Sequence, residues 1–487
     1  MRLSGYIVLI SLLLLAVVIE ALSAVEWAAY PYFPDKSLLF AKTDASIFSI
    51  LAPFSPVFLI LLLYTWAPKL AVRFDNKFSK RLKTLLSSFA RSLSYIRPQA
   101  QSMDTFHGFA LTRRPRLLLV LAVIMAMLLG LVPYRPELNP AMTPVGVDAH
   151  YYVDWVNQML QLSPAGAFSY ALGSASYGSR PLLLLPLYLV VSSGVITTIQ
   201  AVEFLPAVLG PLLALSTFHF VREGQQNEKM AGVVSIFSVF SFDATVGMWA
   251  GFFANWLAIV EAYIFLAVLL GFLRASSRSK FVILTLLSIG MLLTHPWTGA
   301  VVLAISAVFV LSVWRDSRKP ILVKSLALLL TISMAVYITK SIFVEGLATA
   351  QYTSAGLSGS GVSQFLDFWP NLIYTIFVYF DGILANAIIL GLSVVAMIYL
   401  RFPDRFERLL IVWVTIGSLP FTLLTSGLQA RLLYDLPLPI LTSIGLLIAI
   451  RPAGGKTLHC NLALLLALLL SANYALRTAT NLVAAPF

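Results

Sequence analysis

Again and again the chain runs for about 18 residues or more without a charged side chain, and no other feature limits its fold so strongly. Such runs cannot be hidden inside a soluble core when 59% of all residues are hydrophobic and only 11% are charged. They call for a bilayer. Lipid offers the backbone no hydrogen-bond partners, so each crossing segment must satisfy its own N–H and C=O groups, which a helix does and an open strand does not. The short alternating segments of an outer-membrane barrel are not found. The expected fold class is therefore an all-α polytopic integral membrane protein.

Spans are expected at roughly 5–24, 46–67, 117–134, 201–221, 230–249, 252–273, 281–296, 297–314, 321–343, 380–400, 409–425, 434–450 and 458–476, about 13 in all. The organisation divides accordingly. Residues 1–68 hold two N-terminal spans, the first read as retained and not as a cleaved signal. Residues 69–116 form a basic segment. Residues 117–222 begin the main bundle and include a large loop at 135–200, and residues 223–487 complete it.

Charge sets the orientation. The net charge of +12 does not point to nucleic acid in a chain of this kind, because basic residues set sidedness and meet anionic headgroups. Between Lys69 and Arg116 there are eleven Lys/Arg against Asp75 and Asp104, an excess that belongs in the cytoplasm. Phe78, Leu82, Leu85, Phe89, Leu93 and Ile96 recur there at helical spacing, the pattern of an amphipathic surface helix; a solvated linker is the plainer alternative. The stretch from Pro181 to Ile199 is apolar too. If it crossed the membrane, the later basic loops RASSRSK, WRDSRK, RFPDRFER and RPAGGK would all face outside; as a non-spanning juxtamembrane helix it leaves all four inside. The charge rule thus expects a plasma-membrane protein with a cytoplasmic N-terminus and the 135–200 loop outside.

That loop contains GVDAHYYVDWV, residues 146–156, where Asp148, His150 and Asp154 stand among Tyr151, Tyr152 and Trp155. The same count brings Arg180, Glu203, Asp243, Asn255, His295 and Arg431 to the outer side. The Gly- and Ser-rich loop 344–369 reads as flexible, a lid or a plain connector. No Walker-type loop, HExxH or GxSxG is present. The single cysteine, Cys460, excludes an intramolecular disulfide and a Cys-rich metal site.

The order Asp148, Tyr152, Asp154, Met159, then Arg180-Pro181-Leu182-Leu183, resembles the first outer loop of the GT-C membrane glycosyltransferases, especially the aminoarabinose and protein O-mannosyl transferase type. EFLPAVLGPLLAL from Glu203 is similar to that family's next span, and ARLLYDLPLPILTSIGLL from Ala430 to its Tyr/Pro segment near the C-terminus. The resemblance is concentrated in residues 117–222. It departs at Ala149, where the family carries the second of two acids, and in the two spans that come first.

The resemblance implies an inverting transfer of sugar from a polyprenyl-phosphate donor to a lipid, glycan or protein acceptor on the outer face. Asp148 would be the general base, and Arg180 and Arg431 would hold the donor phosphate. His150, Tyr152, Asp154 and His295 would contact substrate. No cofactor is implied, and with Ala149 in place of an acid no divalent metal is expected. Each residue also has a plainer role. Asp148 suits a helix N-cap, a role compatible with catalysis. The aromatic residues suit interfacial anchoring. Arg180 suits a headgroup contact, and His295-Pro296 a helix break.

Three other readings compete. A transporter or flippase of lipid-linked sugar would use the intramembrane acids Glu20, Glu203 and Glu261. It would usually show an internal repeat, and none is evident. An oligosaccharyltransferase subunit should carry a Trp-Trp-Asp motif, which is absent. A non-catalytic scaffold would leave the ordered motifs unexplained.

The sidedness is open to a direct check. With Cys460 replaced by serine, Asp148→Cys should react with a membrane-impermeant maleimide added outside intact cells. Labelling only from the cytoplasmic side would reverse the assignment.

Overall fold

The computed structural model describes residues 114–135, 139, 143–317, 320–343, 387–423 and 434–450, with scattered helical positions between 464 and 479. The two N-terminal spans, the basic amphipathic segment, the loop 344–369 and Arg431 lie outside the described residues.

Among the described residues there are helices and no strands. In chain order they are α1 (Pro115–Leu131), α2 (Ala149–Leu160), α3 (Pro164–Gly173), α4 (Pro181–Ser192), α5 (Thr198–Glu203), α6 (Leu205–Gln225), α7 (Glu228–Val239) and α8 (Phe242–Ala250). Then follow α9 (Phe253–Arg274), α10 (Arg278–Thr294), α11 (Pro296–Ser317), α12 (Pro320–Phe343), α13 (Ala387–Tyr399), α14 (Arg405–Leu423) and α15 (Leu438–Ile450). Among the described residues six stretches are long and apolar enough to cross a membrane: Pro115–Tyr134, Thr198–Gln225, Glu228–Ala250, Phe253–Arg274, Pro296–Arg315 and Ile321–Ile342. This is the architecture of a multi-pass membrane protein.

Proline writes many of the helix starts. Helices α1, α3, α4, α11 and α12 each begin on one. The first helical residue has no intrahelical use for its N–H, and proline's fixed φ already suits the helix. The apolar stretch after Arg180 becomes α4, only 12 residues long. At 1.5 Å per residue that is about 18 Å, short of a hydrocarbon core of about 30 Å. It ends before Gly194, which takes a φ of +73°.

Two expected boundaries shift for local reasons. The span expected from 201 starts at Thr198, because Thr197 and Gln200 form a reciprocal capping box. The span expected over 230–249 is broken at Phe240–Ser241, where Ser241 adopts extended backbone and starts α8.

Helices α6, α7 and α9 occupy the centre. Every residue from Met230 to Met248 is buried, whereas α1 and α12 expose apolar faces such as Leu117, Val120 and Leu128, or Ile321, Leu328 and Ile338. In lipid such faces need no cover, so association rests on close packing instead. Helix α1 packs against α6 and α7. Its Gly130 lies so near α6 that a Cβ there would sit 2.6 Å from the backbone nitrogen of Ala207, and at Gly210 the added atom would meet Ala126.

The two ends of the bundle differ. Residues 135–197 connect α1 to α5 at one end, and the turns 250–253 and 294–296 lie at that same end because successive helices reverse direction. There α2 packs on α3, α4 and α5 as a cap layer, joined by Tyr170 Oη to Gln158 Oε1 at 2.6 Å and Thr198 Oγ1 to Asn157 Oδ1 at 2.7 Å. At the opposite end bases meet helix C-termini: Lys280 Nζ donates to the Gly271 carbonyl at 2.9 Å, and Arg274 pairs with Glu223.

The close approach of α1 and α6 is testable. Gly130→Ala should lower stability by about 1–3 kcal/mol, the usual cost of overpacking, seen as a reduced Tm in detergent. An unchanged Tm would show that the helices have room to part.

Candidate functional site

Helix α2 is amphipathic, burying Ala149, Tyr152, Val156 and Met159 at spacings of three and four. The strand of chain before it is fastened to the bundle. Val147 N donates to the Trp249 carbonyl at 3.0 Å and Asp148 N to the Ala250 carbonyl at 2.9 Å. Gly251 beneath them takes a φ of +66°, and a Cβ there would lie 2.8 Å from Ala149 N, so glycine is needed both for the conformation and for the space. Asp148 occupies the N-cap position of α2, yet its side chain makes no capping hydrogen bond. Its carboxylate is half-buried. The position is that of a cap and the bond is not.

One turn further along α2, Tyr152 is fully buried. Its hydroxyl oxygen accepts twice, from Arg180 Nη1 at 2.9 Å and from the backbone N–H of Ala254 at 3.2 Å. Ala254 lies in the first turn of α9, whose N–H groups have no partner within the helix. Tyr152 therefore caps α9 through space and holds Arg180 at the same time. The Arg180 guanidinium stands 5.5 Å from the ring centres of both Tyr152 and Trp155, within cation–π range. Arg180 is 9% exposed, its Nε has no partner, and among the described residues no carboxylate pairs with it.

The turn leading to Arg180 is strained. Ser176 and Tyr177 have φ of 49° and 53°, a left-handed conformation that costs non-glycine residues on the order of 1–3 kcal/mol. Lys340, from α12 and nearly buried, donates to the Gly178 carbonyl and clasps this turn. A guanidinium held this way, with aromatic walls and an unused donor, is suited to a planar or tetrahedral oxyanion.

A second polar cluster lies along the same first turn of α9. His295, between α10 and α11, is buried, with Nδ1 2.8 Å from Thr298 Oγ1. That hydroxyl also lies 2.5 Å from Asn255 Oδ1 and 2.9 Å from Asp435 Oδ2. Trp413 Nε1 donates to the Asp435 carbonyl at 2.8 Å, and the Tyr434 hydroxyl donates to the backbone carbonyl of Asp243.

The structure thus brings Tyr152 and Arg180 into contact, places Asp148 one helical turn from Tyr152, and puts His295 in the adjoining cluster. It does not gather the rest. His150 and Asp154 lie on exposed faces of α2. Asp154 is in electrostatic reach of Tyr170, whose phenol is pushed above its ordinary value chiefly by burial and then by that carboxylate. Among the described residues no three His, Cys, Asp or Glu side chains converge as a metal-ligand set.

Sequence reasoning missed Asp435, Thr298 and Lys340. An acid at the start of an apolar segment, as in YDLPLP, was the available signal for Asp435. Glu261, which had no assignable partner in the sequence, accepts from Thr294 Oγ1 at 3.0 Å on the adjoining helix. Compared with known proteins, the sequence matches no family model, and no curated protein matches it.

Tyr152→Phe should show how much the two-sided hydroxyl contributes. It strands the Ala254 N–H and part of the Arg180 fork, at about 1–3 kcal/mol for each buried donor left unpaired. Denaturation should reveal the loss, and an unaltered unfolding curve would deny Tyr152 this bridging role.

Proposed function

We propose that this protein is a GT-C-type integral membrane glycosyltransferase, taking a sugar from a polyprenyl-phosphate donor at the outer face and passing it to a lipid, glycan or protein hydroxyl. The observation that carries the reading is the buried Arg180. It has aromatic walls, an unpartnered Nε and no carboxylate partner among the described residues, and it is joined through Tyr152 to the helix that Asp148 begins.

In this reading Arg180 takes the donor phosphate through charge-assisted hydrogen bonds. The lipid tail stays among the exposed apolar faces around the cap layer. The acceptor hydroxyl attacks the anomeric carbon as Asp148 takes its proton, and the bond from that carbon to the phosphate oxygen breaks with its electron pair on the phosphate. The sugar leaves inverted, and the guanidinium stabilises the charge that grows on the departing oxygen. Trp155 and Tyr151, stacked with ring centres 5.8 Å apart, offer an aromatic platform for a sugar face. Arg431 is a second phosphate ligand in this proposal, and His150, Asp154 and His295 are contacts to the substrate. Divalent metal is not required by the scheme.

A second reading, a carrier of lipid-linked sugar, draws on Glu261, which has one carboxylate oxygen bonded to Thr294 and the other buried without a partner.

Two substitutions separate the roles. Asp148→Asn should fold and bind a polyprenyl phosphate normally while turnover falls by about 10²–10⁴, the usual contribution of a positioned base. Arg180→Lys keeps the charge but loses the planar fork, so it should weaken donor binding as well as turnover. A fully active Asp148→Asn protein would remove the base assignment. If reconstituted protein moved lipid-linked sugar between leaflets, without transfer and dependent on Glu261, the carrier reading would replace it.

A further inference from the structure

The cluster behind the Arg180 site holds more hydrogen-bond acceptors than hydrogens. Thr298 has one hydroxyl proton, and three atoms that ordinarily accept surround its oxygen: Asn255 Oδ1, His295 Nδ1 and Asp435 Oδ2. The Thr298 backbone N–H points at His295 Nδ1 from 3.3 Å, which leaves that nitrogen as the unprotonated one. Reversing the Asn255 amide turns one acceptor into a donor. With Asn255 Oδ1 facing the hydroxyl and His295 Nδ1 served by the Thr298 N–H, Asn255 Oδ1 and Asp435 Oδ2 are left to share the single hydroxyl hydrogen.

The surroundings deepen the deficit. Asp435 is 5% exposed and its Oδ1 has no partner; Asn255 is 3% exposed and its Nδ2 has none. A second acid, Asp243 on α8, is 2% exposed and within electrostatic reach of Asp435. Among the described residues the other titratable groups facing the cluster are Tyr263 on α9, Tyr434 just before α15, and His295 itself. Among the described residues no Lys or Arg pairs with either acid. A carboxylate buried in this way is costly unless a positive charge sits beside it.

We propose that this cluster is a monovalent-cation site, in which a sodium ion or a proton is held by Asp435 with the oxygens of Asn255 and Thr298. Carboxylate, amide and hydroxyl oxygens suit a small hard cation and no soft one. A single charge balances the one carboxylate that reaches the oxygen cluster. The site uses neither Asp148 nor Arg180, so it stands or falls separately from sugar transfer.

Thermal unfolding of the purified full chain tests it, at constant ionic strength with sodium chloride exchanged for choline chloride, from mildly acidic to mildly alkaline pH. In choline the Tm should fall as pH rises, because the proton that balances Asp435 is lost. If sodium also fits, it should restore the Tm saturably, with a midpoint about tenfold lower for each pH unit raised, as one-for-one competition requires. Asp435→Asn should remove both responses. A pH response without a sodium response, abolished by that variant, assigns the site to the proton alone. Should Asp435→Asn fail to fold, Thr298→Val, which removes one ligand oxygen and keeps the acid, should lose the sodium response. A wild-type Tm indifferent to both ions, a pH response that persists in Asp435→Asn, or a sodium response that persists in either variant, overturns the proposal.

Discussion

The Tyr152 hydroxyl joins the loop layer to the membrane bundle, and most of the polar end is arranged around that junction. It meets an orphan N–H at the start of α9 and a guanidinium from the turn before α4, so three segments far apart in sequence converge on one oxygen. In an interior of low dielectric each of these donors would be expensive to leave unmet. The fastening of Val147 and Asp148 to the 249–250 carbonyls, over a glycine that admits no side chain, works alongside it. Together they set where α2 begins and therefore where Asp148 stands.

The first turn of α9 then divides two unlike environments. Ala254 faces the cationic side, with Arg180 between two aromatic rings. Asn255 faces the side crowded with acceptors, where Thr298, His295 and Asp435 meet. Adjacent residues of one helix thus support a site suited to an anion and another suited to a cation. Their separation follows from helix geometry, since successive residues point about 100° apart. It also lets a buried acid and a buried guanidinium be served from neighbouring residues of one helix without pairing.

Much of the fold could be read from local pattern. The proline starts of α1, α4, α11 and α12 follow from residue type, and the non-spanning character expected of the stretch after Arg180 followed from the distribution of charge, with the 12-residue α4 in keeping with it. The face of α2 that buries Tyr152 and Met159 follows from spacing. The site was less legible. Nothing in the sequence paired Arg180 with Tyr152, and the contact of Tyr152 with Ala254 had no sign there at all. Glu261 was recognised as costly but not matched to Thr294, and Asp435 was overlooked because the apolar segment after it drew the reading toward a span. Lys340, placed in an apolar helix, gave no hint that it clasps the turn at Gly178.

The division has a physical cause. The sequence by itself determined that the chain is helical and apolar enough to cross a membrane, since in lipid every span must satisfy its own backbone and that requirement is met within one contiguous segment. Only the tertiary structure decided which polar side chains share a pocket. Their partners lie tens to hundreds of residues away, as Tyr152 does from Ala254 and Thr298 from Asp435, and a hydrogen bond across packed helices depends on how those helices meet.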